Sequence, residues 1–215
     1  MLTLRSSPSS PFVRKVRIAA SVLVLEREIA LEPADTLNAS DSVRQQNPLG
    51  KIPALVLEDG TVLFDSRVIL DYLDHRAGGG RIVPRDAGAR FAALRLQALA
   101  DGLMDASVLL VYEGRFRPAE RHEPKWVDHQ AGKVARTLAA LEAAPPALTA
   151  TPDVGQIALA CALGYRDFRF EGTWRRDHPR LVAWLNRFAA RVPAFAATAP
   201  PTVALMSPSA RPPVK

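Results

Sequence analysis

The sequence predicts an α/β domain of the order βαβαββα, followed by an all-α domain. Strand and helix patterns alternate up to residue 76, Asp59-Gly60 marks a tight hairpin between two short apolar runs, and only helical patterns follow Gly78–Pro84. A βαβ unit followed by a hairpin implies a mixed four-stranded sheet with a right-handed crossover. The predicted domains are residues 1–77 and 86–198, with a proline-rich, disordered tail at 199–215.

The elements of the first domain follow from side-chain spacing. Leu2 to Leu4 predicts a strand, and Pro11 suits the first turn of a helix. That helix is amphipathic, with apolar residues at Val13, Val16, Ala20 and Leu23 or Val24, and with Arg14, Lys15 and Arg17 at the other positions. Ser66 is expected to cap a helix that ends near Ala77–Gly80. The remaining strands are predicted at Arg27–Leu31, Pro53–Glu58 and Thr61–Phe64, with an irregular connection or a short helix over Pro33–Asn47.

The second domain shows helical spacing throughout. Long helices are predicted at Ala89–Tyr112 and Trp126–Glu142, and a last helix begins at Pro179. Asp153 and Gln156 form an Asp/Gln variant of the capping box. The helix that this box begins is almost wholly apolar over Ile157–Leu163, so we expect it to be buried.

Composition excludes several classes of protein. No apolar run reaches the roughly 18 residues of a membrane span, and the N-terminus lacks the pattern of a secretory signal, so we expect a cytoplasmic protein without membrane contact. The single cysteine, Cys161, forbids an intrachain disulfide and is expected to be an inert buried residue. The four histidines are scattered, and no zinc-site spacing exists, so no metal is expected.

The net charge of +6 belongs to the second part of the chain. Residues 1–76 hold 9 Lys and Arg against 10 Asp and Glu, whereas residues 77–215 hold 19 against 12. Arginines interleaved with aromatic residues over 166–191 could suit a polyanion. The aromatic residues there follow helix-face positions, however, so the arginines are more simply a solvated face, and no nucleic-acid partner is expected.

Three short segments at the ends of elements could each form part of a ligand site, although each also has a plain structural explanation. The hydroxyls of Ser9-Ser10-Pro11-Phe12 could stabilise an anion at a helix N-terminus, or simply cap the helix. In Asn47–Pro53, a cis Ile52–Pro53 bond could turn main-chain groups outward toward a peptide-like ligand, or the segment could be only a rigid turn. Phe64-Asp-Ser66 could bind the zwitterionic end of an amino acid, or only cap a helix.

Taken together, these segments resemble the glutathione transferase family, with bacterial members and the plant tau class as similar relatives. The resemblance rests on Ser10-Pro-Phe-Val-Arg-Lys-Val16, Asn47-Pro-Leu-Gly-Lys-Ile-Pro53 and Phe64-Asp-Ser66, and it covers about residues 1–200 through Ala100–Ala106, the Asp153 cap with Ile157–Tyr165, Pro179–Trp184 and Pro193–Phe195. It implies a glutathione transferase fold, with a thioredoxin-like N-terminal domain that binds glutathione and an all-α C-terminal domain that supplies most of the pocket for the electrophile. It also implies a homodimer.

The resemblance assigns roles by position. Ser10 would donate a hydrogen bond to the glutathione thiolate, with Ser9 as its rival; Ile52 would bond the cysteinyl backbone, and Lys51 would lie near a carboxylate. Asp65, where many members carry Glu, and Ser66 would bind the γ-glutamyl end. The implied glutathione-binding residues are Ser10, Phe12, Lys51, Ile52, Asp65 and Ser66, with glutathione as co-substrate and no metal.

Serine in place of cysteine before Pro11 favours conjugation, because a hydroxyl cannot form the mixed disulfide of thiol-disulfide exchange. We therefore expect a glutathione S-transferase that acts on a small hydrophobic electrophile. The alternative is a non-catalytic protein of the same fold that binds the transcription or stress machinery. Met104, Ser107 and Tyr112 could line the electrophile pocket, but helical spacing makes them more simply core residues.

Overall fold

A computed structural model describes residues 1–201 of the chain, so most of the predicted tail, residues 202–215, lies outside the described residues. Its four strands are β1 (Leu2–Ser6), β2 (Ile29–Pro33), β3 (Ala54–Val56) and β4 (Val62–Leu63). They form one sheet in the order β2-β1-β3-β4, in which β1 is parallel to β2 and antiparallel to β3, and β3 is antiparallel to β4. The predicted mixed sheet and its hairpin are confirmed.

Helices α1 (Pro11–Val22), α2 (Val43–Gln46) and α3 (Ser66–Arg76) complete the first domain and give the predicted thioredoxin-like order βαβαββα. Two details of the prediction are wrong. Glu26–Glu28 forms a short 3-10 helix, so β2 begins only at Ile29. Asp65 rather than Ser66 caps α3: its Oδ1 accepts a hydrogen bond from the Arg67 amide at 2.9 Å, because Asp65 has the extended backbone that an N-cap requires.

The second domain is helical throughout the described residues. Its helices are α4 (Ala87–Phe116), α5 (Pro124–Ala143), α6 (Val154–Arg169), α7 (Pro179–Arg191) and α8 (Ala194–Ala197). Every residue of α6 from Val154 to Tyr165 is buried, as the apolar run predicts. The helix approaches α4 closely at Gly155, where an added Cβ would lie 2.6 Å from the Ala93 carbonyl oxygen. Within residues 1–201, none of the helices is both long and apolar enough to cross a membrane.

The predicted capping box of α6 forms only in part. Asp153 Oδ1 accepts a hydrogen bond from the Gln156 amide at 2.9 Å, as expected. The Gln156 side chain does not return to Asp153; it donates to the Ala147 carbonyl at 2.8 Å and accepts from the Thr149 hydroxyl at 2.9 Å. This glutamine therefore fastens the preceding loop to the helix.

The two domains meet along α1, which packs against both α3 and α6. The prediction that Arg14 and Lys15 lie on a polar face of α1 is wrong, because both side chains are buried in this interface. The guanidinium of Arg14 lies 4.1 Å from the ring centroid of Phe195 and donates a hydrogen bond to the Phe195 carbonyl. Lys15 forms a salt bridge with Asp101 of α4. Two buried cations therefore hold the domains together.

Candidate functional site

A cavity of about 650 Å³ opens between the two domains; we call it the interdomain cavity. The first domain contributes the start of α1 and three loops, and the second domain contributes one face each of α4 and α6. The first-domain lining includes Ser7, Ser9, Ser10, Pro11, Phe12, Asp35, Leu37, Gly50, Lys51 and Ile52. The second-domain lining is Asp105, Val108, Leu109, Tyr112, Arg115, Tyr165 and Arg169. Four of the six predicted glutathione-binding residues, Ser10, Phe12, Lys51 and Ile52, therefore border one cavity.

Ser10 is the N-cap of α1 and borders the interdomain cavity. Its Oγ accepts a hydrogen bond from the Val13 amide at 3.2 Å. A hydroxyl that accepts one hydrogen bond keeps its own proton for donation, so capping and ligand binding can coexist here. The Oγ of Ser9 also borders the cavity, but it lies 3.2 Å from the Ser7 Oγ and shares a hydrogen bond with it. Both serines therefore border the cavity, and Ser10 is the one that also caps α1.

The segment before β3 presents main-chain groups to the same cavity. The Ile52–Pro53 peptide bond is cis. The buried side chain of Asn47 donates to the Lys51 carbonyl at 2.9 Å, which fixes the loop that carries Lys51 and Ile52. Within residues 1–201, neither main-chain polar group of Ile52 has a hydrogen-bond partner. An extended peptide-like ligand could pair with these groups as an added strand.

Asp65 and Ser66 do not border the interdomain cavity. The Asp65 side chain is exposed, and its Oδ2 lies 3.8 Å from Nε of Arg67. Ser66 is buried as the first residue of α3. Asp105 borders the cavity with an exposed side chain, and its pKa is raised by partial desolvation and by the charge of Asp101, against the opposing charges of Arg67 and Lys51.

The helical wall of the cavity contains residues that sequence reasoning missed. Met104 and Ser107 are buried, as expected for core residues, but Tyr112 is 38% exposed and borders the cavity. Four charged or phenolic lining residues were not predicted at all: Asp105, Arg115, Tyr165 and Arg169. Asp105, Val108, Leu109 and Tyr112 recur at the spacing of one helix face. This spacing is the sequence signal that could have identified the helical wall of the cavity.

Burial shifts the pKa of ionisable groups in and behind this wall. Burial raises the pKa of the Tyr165 hydroxyl, against the opposing positive charges of Arg169 and Arg115. Burial also raises the pKa of the Cys161 thiol to about 12. A thiol with so high a pKa is protonated at neutral pH and is a poor nucleophile, which agrees with the prediction that Cys161 is inert.

The arginine-rich stretch over 166–191 is not simply a solvated face. Arg166 and Arg169 lie 3.6 Å and 4.2 Å above the rings of Phe170 and Phe168, and burial lowers the pKa of Arg166 to about 10. Arg175 forms a salt bridge of 2.6 Å with Asp167. These arginines are engaged within the domain, so they do not present one continuous basic surface.

The side chains around the cavity can also be compared with the ligand sets of metal sites. In the part of the chain from residue 1 to residue 201, no three His, Cys, Asp or Glu side chains lie together as metal ligands would.

Family models and curated relatives point to the same family in both parts of the chain. The family model "Glutathione S-transferase, N-terminal domain" matches residues 9–76, and "Glutathione S-transferase, C-terminal domain" matches residues 124–187. The uncharacterized GST-like protein YibF of Escherichia coli is 38% identical over 93% of this chain and 99% of its own length. A stringent starvation protein A homolog of Coxiella burnetii is 30% identical over 56% of each chain.

Solved structures of glutathione transferases have the same fold as this chain. A glutathione transferase family member from Pseudomonas fluorescens, crystallised with glutathione, has a TM-score of 0.87 and 47% identity over 94% of this chain and 100% of its own. A second such structure contains S-(propanoic acid)-glutathione. A glutathione S-transferase from Methylobacillus flagellatus with glutathione bound has a TM-score of 0.86 and 34% identity over the same shares.

Proposed function

Because the chain belongs to the glutathione S-transferase family, we propose that it binds glutathione in the interdomain cavity and activates its thiol for attack on a small hydrophobic electrophile. The observation that carries this proposal is the position of Ser10. Its hydroxyl caps α1, borders the cavity and keeps a proton to donate. The positive end of the α1 dipole adds to the stabilisation of an anion at the same point.

The proposed role of Ser10 is to stabilise the thiolate rather than to react. A hydrogen bond to the thiolate favours the ionised form and lowers the thiol pKa from about 8.5, at about 1.4 kcal/mol per pKa unit. The thiolate sulfur then forms a bond with an electrophilic carbon, from which a leaving group departs with the electron pair of the broken bond, and the thiol proton passes to solvent. In the relative from Pseudomonas fluorescens, the bound S-(propanoic acid)-glutathione supports a site that accommodates a group on the sulfur.

The other predicted residues would hold the tripeptide. Ile52 offers a main-chain donor and acceptor to the cysteinyl backbone, and exposed Lys51 would meet a carboxylate. Phe12 would pack beside the ligand, since it borders the same cavity. Asp65 and Ser66 would bind the γ-glutamyl end at the start of α3, which requires the ligand to extend beyond the lining of the cavity toward that corner.

We propose a homodimer, supported by large apolar side chains exposed in the described chain: Phe91 of α4 is 70% exposed and Val68 of α3 is 47% exposed. Light scattering should give twice the chain mass, and Phe91→Asp should give the monomer. The cytoplasmic location expected from the sequence stays a prediction.

A second candidate function is a non-catalytic interaction protein of the transferase fold. It is favoured by the similarity to the stringent starvation protein A homolog, which covers 56% of this chain. The two candidates differ in a simple way, because only the transferase requires glutathione to bind. Calorimetric titration with glutathione therefore separates them.

The titration should compare wild type with Asp65→Asn. Asparagine caps a helix about as well as aspartate does, so this variant keeps α3 intact and removes only the charge that would meet the γ-glutamyl ammonium. Asp128→Asn, an exposed position on α5, is the matched control. We expect millimolar or tighter binding by wild type and the control, and weaker binding by Asp65→Asn. Absence of binding at millimolar glutathione would favour the interaction protein, whereas equal binding by wild type and Asp65→Asn would contradict the proposed role of Asp65.

A further inference from the structure

The charges that line the interdomain cavity are separated along helix α4. Asp105 lies near Lys51 and Asp65 at the corner where the γ-glutamyl end is proposed to bind. Arg115 lies ten residues further along the same helix, which corresponds to about 15 Å at 1.5 Å per residue. Arg169 borders the cavity from α6. The α4 wall of the cavity is thus acidic at Asp105, inside the helix, and basic at Arg115, near its C-terminal end.

The two arginines are oriented by aromatic rings and are not neutralised. The guanidinium of Arg115 lies 5.3 Å from the ring centroid of Tyr112, and that of Arg169 lies 4.2 Å from the ring centroid of Phe168. Within residues 1–201 neither arginine forms a salt bridge, and Nε of Arg169 is buried without a hydrogen-bond partner. Two nearby arginines are different: Arg117 pairs with Glu113, and Arg175 pairs with Asp167.

Apolar side chains separate the acidic and basic ends. Val108 and Leu109 line the wall of α4 between Asp105 and Arg115, and Phe12 faces the cavity from α1. A ligand group held between Ser10 and the arginines would therefore meet an apolar surface first and two guanidinium groups beyond it. Guanidinium is the side-chain group best suited to a carboxylate, because its planar donors match the two oxygens.

We propose that the electrophile accepted by this protein is an apolar molecule with a carboxylate, and that Arg115 and Arg169 bind that carboxylate. The inference rests on the proposed glutathione transfer and narrows its substrate class. The arginines are specificity residues: they would position the electrophile while the thiolate beside Ser10 attacks its reactive carbon. Lys51, at the other end of the cavity, remains available for a carboxylate of glutathione.

A matched pair of aryl chlorides tests this inference: 4-chloro-3,5-dinitrobenzoate and 4-chloro-3,5-dinitrobenzamide. In both, the thiolate forms a bond to the ring carbon, chloride leaves with the electron pair of the broken bond, and the thiol proton goes to solvent. The two differ in the charge of the group opposite the chlorine. Values of kcat/KM should be divided by the rates without enzyme, to remove the difference in intrinsic reactivity.

We expect wild type to prefer the benzoate by about tenfold, the scale of one charge-assisted hydrogen bond. Arg115→Gln and Arg169→Gln should each remove most of that preference. Arg95→Gln is the control, since Arg95 is an exposed arginine of α4 that lies outside the interdomain cavity and forms no salt bridge among the described residues. Thermal melting checks that each variant is folded. If Arg169→Gln does not fold, Arg115→Gln alone still tests the inference.

Three results would overturn the inference. Wild type could show no preference for the benzoate, or both arginine variants could retain the wild-type preference. The variants could also raise the KM for glutathione as much as that for the benzoate, which would mean that these arginines bind the tripeptide itself. Each of these results leaves glutathione binding by wild type intact, whereas failure of the proposed function would abolish that binding in the calorimetric titration.

Discussion

The ammonium Nζ of Lys15 lies 2.7 Å from Oδ1 of Asp101, and this pair joins α1 of the first domain to α4 of the second. Both side chains are almost completely buried, at 0% and 2% exposure. The other carboxylate oxygen of Asp101 lies 3.0 Å from Nε of Arg67 on α3. Because α1 carries Ser10 at its N-terminus and α4 forms the opposite wall of the cavity, this pair fixes the relative position of the two walls.

Removing one member of this pair should destabilise the protein strongly. Asp101→Asn leaves the Lys15 ammonium buried without a counter-charge, which costs about 3–5 kcal/mol of unfolding free energy in comparable cases. Urea unfolding of wild type and variant measures the loss. The double variant Lys15→Met with Asp101→Leu removes both charges and should recover part of the stability. A double variant no more stable than Asp101→Asn would show that the unpaired charge is not the cause.

The stability of α7 should depend on the ionisation of Glu142. Its carboxylate accepts hydrogen bonds from the Arg180 and Leu181 amides at 2.9 Å each, and so caps α7 from helix α5. Burial opposes ionisation, but these hydrogen bonds outweigh it and lower the pKa of Glu142 from its ordinary value of 4.5. A carboxylate whose pKa is lower in the folded state than in the unfolded state stabilises the fold at pH values above its unfolded-state pKa. This stabilisation is lost as the pH falls through the folded-state pKa.

The variant Glu142→Ala should therefore melt at a lower temperature than wild type at neutral pH. The difference should shrink as the pH falls below about 4.5, because both forms then lack the carboxylate. Thermal melting from pH 7 to pH 3 measures it. A difference that stays constant over this range would contradict capping by the ionised form.

Asp105 should affect stability in the opposite direction. The Asp105 side chain is exposed, but partial desolvation by the neighbouring helices and the negative charge of Asp101 raise its pKa above the ordinary 3.8, so its ionised form destabilises the folded state at neutral pH. We expect Asp105→Asn to raise the melting temperature of the ligand-free protein at pH 7. The gain should disappear below the ordinary pKa, where folded and unfolded chains are both protonated. A lower melting temperature at pH 7 would contradict this assignment.

The fold could be predicted from the sequence because local signals agree with the tertiary structure. The Asp59-Gly60 turn and the apolar run after Asp153 each determine an element by themselves. Side-chain spacing could not predict the burial of Arg14 and Lys15. Their positions look polar and solvent-facing on α1, and only the docking of the helical domain supplies partners for them.

The candidate site was partly predictable for the same reason. Ser10, Lys51 and Ile52 lie in short motifs, and the structure places them around one cavity. Arg115 and Arg169 come from helices far apart in the chain, and their sequence surroundings resemble any solvated helix face. Their approach to one cavity depends on how α4 and α6 pack against each other, which no local pattern contains.

The most direct test of the account is the pKa of the glutathione thiol bound to wild type and to Ser10→Ala. Thiolate absorbance in the ultraviolet, followed against pH with saturating glutathione, gives this value. Ser9→Ala is the matched control, because Ser9 borders the same cavity without capping α1. Thermal melting measures the stability that Ser10→Ala loses with the helix cap, which we expect to be about 1 kcal/mol.

We predict a bound thiol pKa below the ordinary 8.5 or so in wild type and in Ser9→Ala. In Ser10→Ala it should rise by about one unit, equivalent to about 1.4 kcal/mol, with a smaller change in glutathione affinity. An unchanged thiol pKa in Ser10→Ala would contradict the central claim that the Ser10 hydroxyl stabilises the thiolate.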